Sequence, residues 1–242
     1  MDKITVKTEK WYEGLPLGNG LTGSLVYGGD PLKITVDRTD LWDLRPNETT
    51  LEKDFNYENL VKLSLSGKEK DWKERARLFE DIFMGKPYPS KITAGHIELQ
   101  FAGNVKSVRY SLDIDNAVVN VFDGEETLAD VFISGEVNVG VIRTYKKCNI
   151  AFHVPAYLSG KPKGESGIGD EASGLSLAYP KAVEKREGSF RWYEQSTHTD
   201  YSFGIVTMET DGAIFYALVT TDDDRDYIVY GKNLLKKAAD LG

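Results

Sequence analysis

Asp40-Leu41-Trp42-Asp43-Leu44-Arg45 sets two carboxylates, an indole and a guanidinium within six residues. An aromatic face suits a sugar ring, and an Asp or Arg can bond its hydroxyls. The plainer reading is structural: Trp42 plugs the edge of a sheet sandwich while Arg45 pairs with an acid. That reading is preferred. Hydrolysis of a glycosidic bond needs two carboxyl groups at a defined separation across it. With 38 Asp and Glu residues in the chain, counting carboxylates decides nothing.

Gly18-Asn19-Gly20-Leu21-Thr22-Gly23 fits the dinucleotide fingerprint letter for letter. That motif works only between a strand and a helix, whose N-terminus must face the pyrophosphate. Gly14 and Pro16 break the preceding segment as a strand, and residues 21–27 read as a strand, not a helix. The motif is therefore expected to be a glycine-rich turn, with Asn19 a candidate contact for sugar. His96, His153 and His198 match no metal-binding signature by spacing. Cys148 and His153, five apart on one expected strand, should point to opposite faces, so Cys148 reads as a small core residue. Asp222 to Asp226 lacks the spaced pattern of a calcium loop and reads as an exposed acidic turn. No metal and no cofactor are expected.

The elements that must position these residues are mostly strands. Ile4 to Thr8 and Leu32 to Arg38 alternate apolar and polar residues, which puts Leu32, Ile34 and Val36 on one face. Two helices interrupt them. Glu58 to Leu65 is short; Glu69 to Met84 carries a stripe of Trp72, Ala76, Phe79 and Phe83, with Leu78 and Ile82 beside it, and stops at Gly85 and Pro87. Strands follow at 97–101, 108–114, 119–122, 128–133, 137–145 and 150–154. Asp123-Gly124 marks a hairpin. Residues 159–174 read as a glycine-rich surface loop, and strands resume at 175–179, 190–193, 201–208 and 213–220. Successive strands joined by short turns predict a mainly β fold, a large antiparallel β-sandwich (super-sandwich) with one or two inserted helices. Residues 233–242 look like the start of a helix with no partner of its own.

Trp11, Glu13 to Gly20, Gly23 and Val26 to Gly29 together resemble the opening of glycoside hydrolase family 95, the α-L-fucosidases and their relatives. The resemblance continues in family order through Asp37 to Pro46, Tyr88 to Lys91, Tyr110 to Ile114 and Val131 to Ser134. It implies an N-terminal sandwich over residues 1–230, with 231–242 beginning a helical linker to an (α/α)6 barrel. The glutamate acid and amide-assisted water of that family would lie in the barrel, so no catalytic residue is carried over. The expected role is a non-catalytic scaffold, inactive alone, whose partner is the barrel of the same parent protein. On this view Asp40, Trp42 and Arg45 form a loop facing that barrel. The alternatives are a free-standing carbohydrate-binding module that uses Trp42, Trp192 or the Asn19 turn, and a mutarotase-like enzyme. The latter needs a His and a carboxylate converging on one concave face, for which the His spacing gives little support.

A formal net charge of -8 argues against nucleic-acid or anionic-membrane partners. The N-terminus lacks the apolar core of a signal peptide. Cytoplasmic residence is the simplest expectation, with secretion the alternative if a signal peptide has been removed.

Overall fold

The computed structural model describes residues 3–6, 8, 10–83, 90–155, 157 and 177–241. In chain order the strands are β1 (Lys3–Val6), β2 (Leu15–Gly18), β3 (Thr22–Gly28), β4 (Leu32–Arg38) and the two-residue β5 (Trp42–Asp43). Helices α1 (Tyr57–Leu65) and α2 (Glu69–Phe79) follow, then β6 (Ser90–Lys91), β7 (His96–Phe101), β8 (Val108–Asp113), β9 (Val118–Asp123) and β10 (Glu126–Ile133). The remainder is β11 (Gly140–Thr144), β12 (Cys148–His153), β13 (Val183–Glu187), β14 (Phe190–Ser196), β15 (Ser202–Thr210), β16 (Ala213–Thr220) and α3 (Tyr227–Leu241).

These strands form a nine-stranded sheet in the order β1-β8-β9-β10-β11-β16-β15-β14-β13 and a five-stranded sheet in the order β12-β7-β4-β3-β2. A small β5-β6 ladder stands apart. Among the described residues every pairing is antiparallel. The expected sandwich is what forms. Its core lies between the sheets, where Leu32, Ile34, Val36, Ile97 and Leu99 face Val119, Val121, Val131, Ile205 and Leu218. Three tyrosines of the large sheet reach across it. Tyr110 donates to Gly28 O at 3.0 Å and Tyr193 to Ala94 O at 2.6 Å, while the Tyr216 hydroxyl lies 2.8 Å from Ser24 Oγ. Two of these phenols thus satisfy their polar ends on the opposite sheet, and Tyr193 does so on the segment leading into β7.

The large sheet is apolar on both faces along β15 and β16, whose side chains are buried without alternation. The reason is α3, which covers the outer face: Leu235 and Ala238 are buried there against a second core containing Val206, Ala217 and Val219. Gly231 lets the helix approach, since a methyl at that position would meet Val206 and Val219 at 3.1–3.3 Å. The C-terminal helix therefore starts earlier than its sequence suggests, and it packs on the sandwich instead of lacking a partner.

Other expectations need correction. Leu15–Gly18 is a strand despite Pro16, because β2 is a sheet edge, where a missing N–H costs little. Helix α2 ends at Phe79, followed by a 3₁₀ turn at Asp81–Phe83. Ala76 and Leu78 are its buried residues and Ile82 that of the turn; Trp72 points to solvent, 56% exposed. Strand β8 stops at Asp113, one residue short of the expected 114, with Ser111 and Asp113 buried and Ile114 exposed. Residues 177–179 form no strand, and the exposed, charged β13 was not expected. The glycine-rich loop at 159–174, Gly85, Pro87, Tyr88, Pro89 and the Phe83 side chain lie outside the described part.

Candidate functional site

The Gly18–Gly23 motif is the hairpin turn between β2 and β3. Gly20 adopts φ 97°, which an L side chain rarely does. Asn19 does the fastening. Its Oδ1 accepts from Leu21 N at 3.2 Å and Thr22 N at 3.0 Å, and its Nδ2 donates to Ser134 O at 3.0 Å and Asn138 Oδ1 at 3.3 Å. Ser134 follows β10 of the other sheet, so one amide both closes the turn and ties the two sheets. A strand follows the glycines where a dinucleotide fold needs a helix, so no phosphate cradle forms. Counting only its two shortest bonds, to Thr22 N and Ser134 O, Asn19→Ala should cost about 2 kcal/mol, at roughly 1 kcal/mol for each. Thermal unfolding would then fall by roughly 4–8 °C. Unchanged stability together with lost glycan binding would make Asn19 a ligand contact instead.

Asp40, Trp42, Asp43 and Arg45 line a cleft of about 370 Å³ together with Leu44, Pro46, Ile92, Tyr179, Tyr201 and Asp222. Trp42 does not plug the sandwich edge. It is 43% exposed at the lip of this cleft, with Nε1 donating to Thr39 O at 2.8 Å. Arg45 does pair with an acid: its Nε and Nη2 hold Asp43 Oδ2 at 3.0 and 2.6 Å. Asp43 is buried, and its Oδ2 also accepts from the Tyr179 hydroxyl at 2.6 Å. Burial works against the Asp43 charge, but the bonds from Arg45 and Tyr179 outweigh it and hold the carboxyl below its ordinary value. Burial, reinforced by Asp43, pushes the Tyr179 phenol up. Ala178, just before Tyr179, sits at φ 54°, a left-handed conformation that costs a non-glycine residue on the order of 1 kcal/mol.

Asp40 belongs to a neighbouring network that the sequence did not disclose. Both its oxygens accept from the Arg38 guanidinium, at 3.0 and 2.7 Å. Arg38 is buried, and its Nη1 also reaches Asp223 Oδ2 at 2.5 Å and Leu218 O at 3.1 Å. Burial opposes its charge, yet the bonds to Asp40 and Asp223 raise its pKa above the ordinary value, while Asp40 is held low. Asp223 is thus an anchor within the stretch expected to be an exposed acidic turn. Neither Asp40 nor Asp43 is poised to donate a proton at neutral pH. What they offer is fixed negative charge and acceptors beside an indole, which suits binding and not the role of a general acid.

Residues 5–222 match the model of the glycosyl hydrolase family 65 N-terminal domain. The chain belongs to that family. As a glycoside hydrolase N-terminal domain it has the sandwich architecture that its sequence led one to expect, and the match spans both sheets. No curated protein sequence matches it. In this domain Cys148 is half-buried on β12, and burial, with Glu209, pushes its thiol up to about 11, which leaves it un-ionised and inert. Two of the three histidines do meet. Pairing of β7 with β12 sets His96 directly opposite His153, and their rings stack at 4.5 Å. Among the described residues, His96, Glu98 and His153 form the group that could hold a metal ion. His198 lies elsewhere, edge-on to Tyr179.

Proposed function

We propose that this chain is the non-catalytic β-sandwich domain of an α-L-fucosidase-like glycoside hydrolase, and that it supports a catalytic (α/α)6 barrel of the same parent protein. Residues 1–230 are the sandwich in this reading, and 231–242 lead into the linker. The observation that carries it is the state of the cleft carboxylates: Asp40 and Asp43 are both engaged by arginine forks and held ionised. A second observation favours an interdomain role. Leu44, Leu51, Tyr57 and Leu65 are 73–80% exposed along the segment that runs from the cleft through α1. Apolar surface concentrated on one excursion marks a contact site. The test is release of nitrophenol from aryl α-L-fucosides. The purified chain should give none above buffer, and the full parent protein should turn over. Release by the chain alone would end the scaffold reading; a parent active only on other glycosides would end the fucosidase one.

A carbohydrate-binding module is the second reading, favoured by the exposed Trp42 indole beside the polar cleft. Calorimetric titration with fucosylated oligosaccharides separates the two. Saturable heat that disappears in Trp42→Ala supports the module, and no heat at millimolar sugar removes it.

A further inference from the structure

We propose that His96, Glu98 and His153 form a binding site for a divalent transition-metal ion, with zinc the best fit, on the outer face of the five-stranded sheet. One ring nitrogen from each histidine and one Glu98 oxygen all lie within 4.8 Å of one another. His96 Nε2 and Glu98 Oε1 are already 3.1 Å apart. A tetrahedral zinc with bonds of about 2.0–2.2 Å holds its ligand atoms roughly 3.3–3.5 Å apart. The rings stand nearly parallel, 11° apart, so each must also turn out of that stack for its lone pair to face a shared ion. Two imidazoles and a carboxylate, with remaining positions for water, are a donor set for zinc or its neighbours and not for calcium or magnesium, which prefer oxygen alone.

Local architecture explains how a pair so distant in sequence comes to be held ready. On β7 the inward residues are Ile97, Leu99 and Phe101, so His96 and Glu98 share the outer face. The β7–β12 register adds His153 to that face. The backbone beneath is fixed. Gly95 stands at φ 106°, and a methyl there would lie 2.2 Å from His153 O, so no other residue lets these segments approach. Gly95 O accepts from Val36 N, and Ala94 O accepts from Tyr193. Glu98 and His153 are only half-buried, which leaves that face open to an ion from solvent. Since β12 is the edge of its sheet, the metal would staple that edge strand to its neighbour.

The test uses the whole chain, stripped with EDTA and titrated with Zn²⁺. Calorimetry should show one saturable site. Zinc at ~100-fold above its dissociation constant should raise the melting temperature by roughly 5–10 °C. His153→Ala and Glu98→Gln, both only partly buried, should keep the metal-free melting temperature and lose the zinc response; Cys148→Ser and His198→Ala should retain it. Should both site variants fail to fold, Co²⁺ added to the unaltered chain must give tetrahedral visible bands that zinc abolishes. No zinc response up to millimolar, a response undiminished in the site variants, or absent cobalt bands would each overturn the proposal.

Discussion

Arg38→Ala should destabilise the fold by about 3 kcal/mol, the lower end of what breaking a buried ion pair from one side costs. The guanidinium is 4% exposed and joins three places: Asp40 beyond its own strand β4, the backbone of β16 at Leu218, and Asp223 in the turn after β16. It therefore links the two sheets at one end of the sandwich. Removing it leaves Asp223, 16% exposed, with only the Thr220 amide to compensate a carboxylate that has lost its counter-charge. Asp40 is 48% exposed and would be solvated, so Asp40→Ala should cost no more than an exposed pair, ~0–1 kcal/mol. Arg38→Lys tests the geometry: an ammonium keeps the charge but cannot present a planar fork to two carboxylates and a carbonyl. It should recover only part of the loss. Urea unfolding of the three variants measures this directly. If Arg38→Ala lies within ~0.5 kcal/mol of the unaltered chain, the network is a surface pair and the linkage between sheets resides elsewhere.

That network marks where reading the sequence stopped. Strand β4 was legible to its last residue, because one face is core and the other is not, and its burial alternates accordingly. The sandwich was legible for the same reason, and the hairpin at Gly124 from its Asp-Gly turn. Strand β13 was not. Every side chain of Val183–Glu187 is exposed, so no apolar period exists, and only pairing with β14 makes it a strand. In the cleft, the sequence led one to expect that Arg45 pairs with an acid, and Asp43 is that acid because the contact is local. It could not find Tyr179 or Asp223, which arrive through tertiary structure. Asn19 was noticed for the glycines around it, but its hold on the other sheet was not legible, since the carbonyl that its amide reaches is far away in sequence. His96 and His153 look unrelated until a strand register sets them face to face.

Gly140→Ala should be among the most damaging single changes in the chain, although it adds one methyl group. Gly140 is the cross-strand partner of Tyr216, whose ring lies over the glycine. A methyl on Gly140 would stand 2.0 Å from Tyr216 Cζ and 2.4 Å from both Cε atoms. The ring cannot simply swing away, because Tyr216 is fully buried in the core and its hydroxyl is bonded to Ser24 on the opposite sheet. Overpacking of a tight core costs about 1–3 kcal/mol; losing the bond between sheets adds ~1 kcal/mol. The sum is about 3 kcal/mol, a fall in melting temperature of roughly 10 °C. Tyr216→Phe isolates the hydroxyl and should cost only ~1 kcal/mol. Gly29→Ala, where a methyl meets nothing within 4 Å, should change little and controls for the added side chain itself. The decisive measurement is a double-mutant cycle with Tyr216→Leu, which removes the ring. In that background Gly140→Ala should lose most of its cost. An undiminished cost would mean that the glycine serves the backbone of β11, and that the aromatic ring lying on it is incidental.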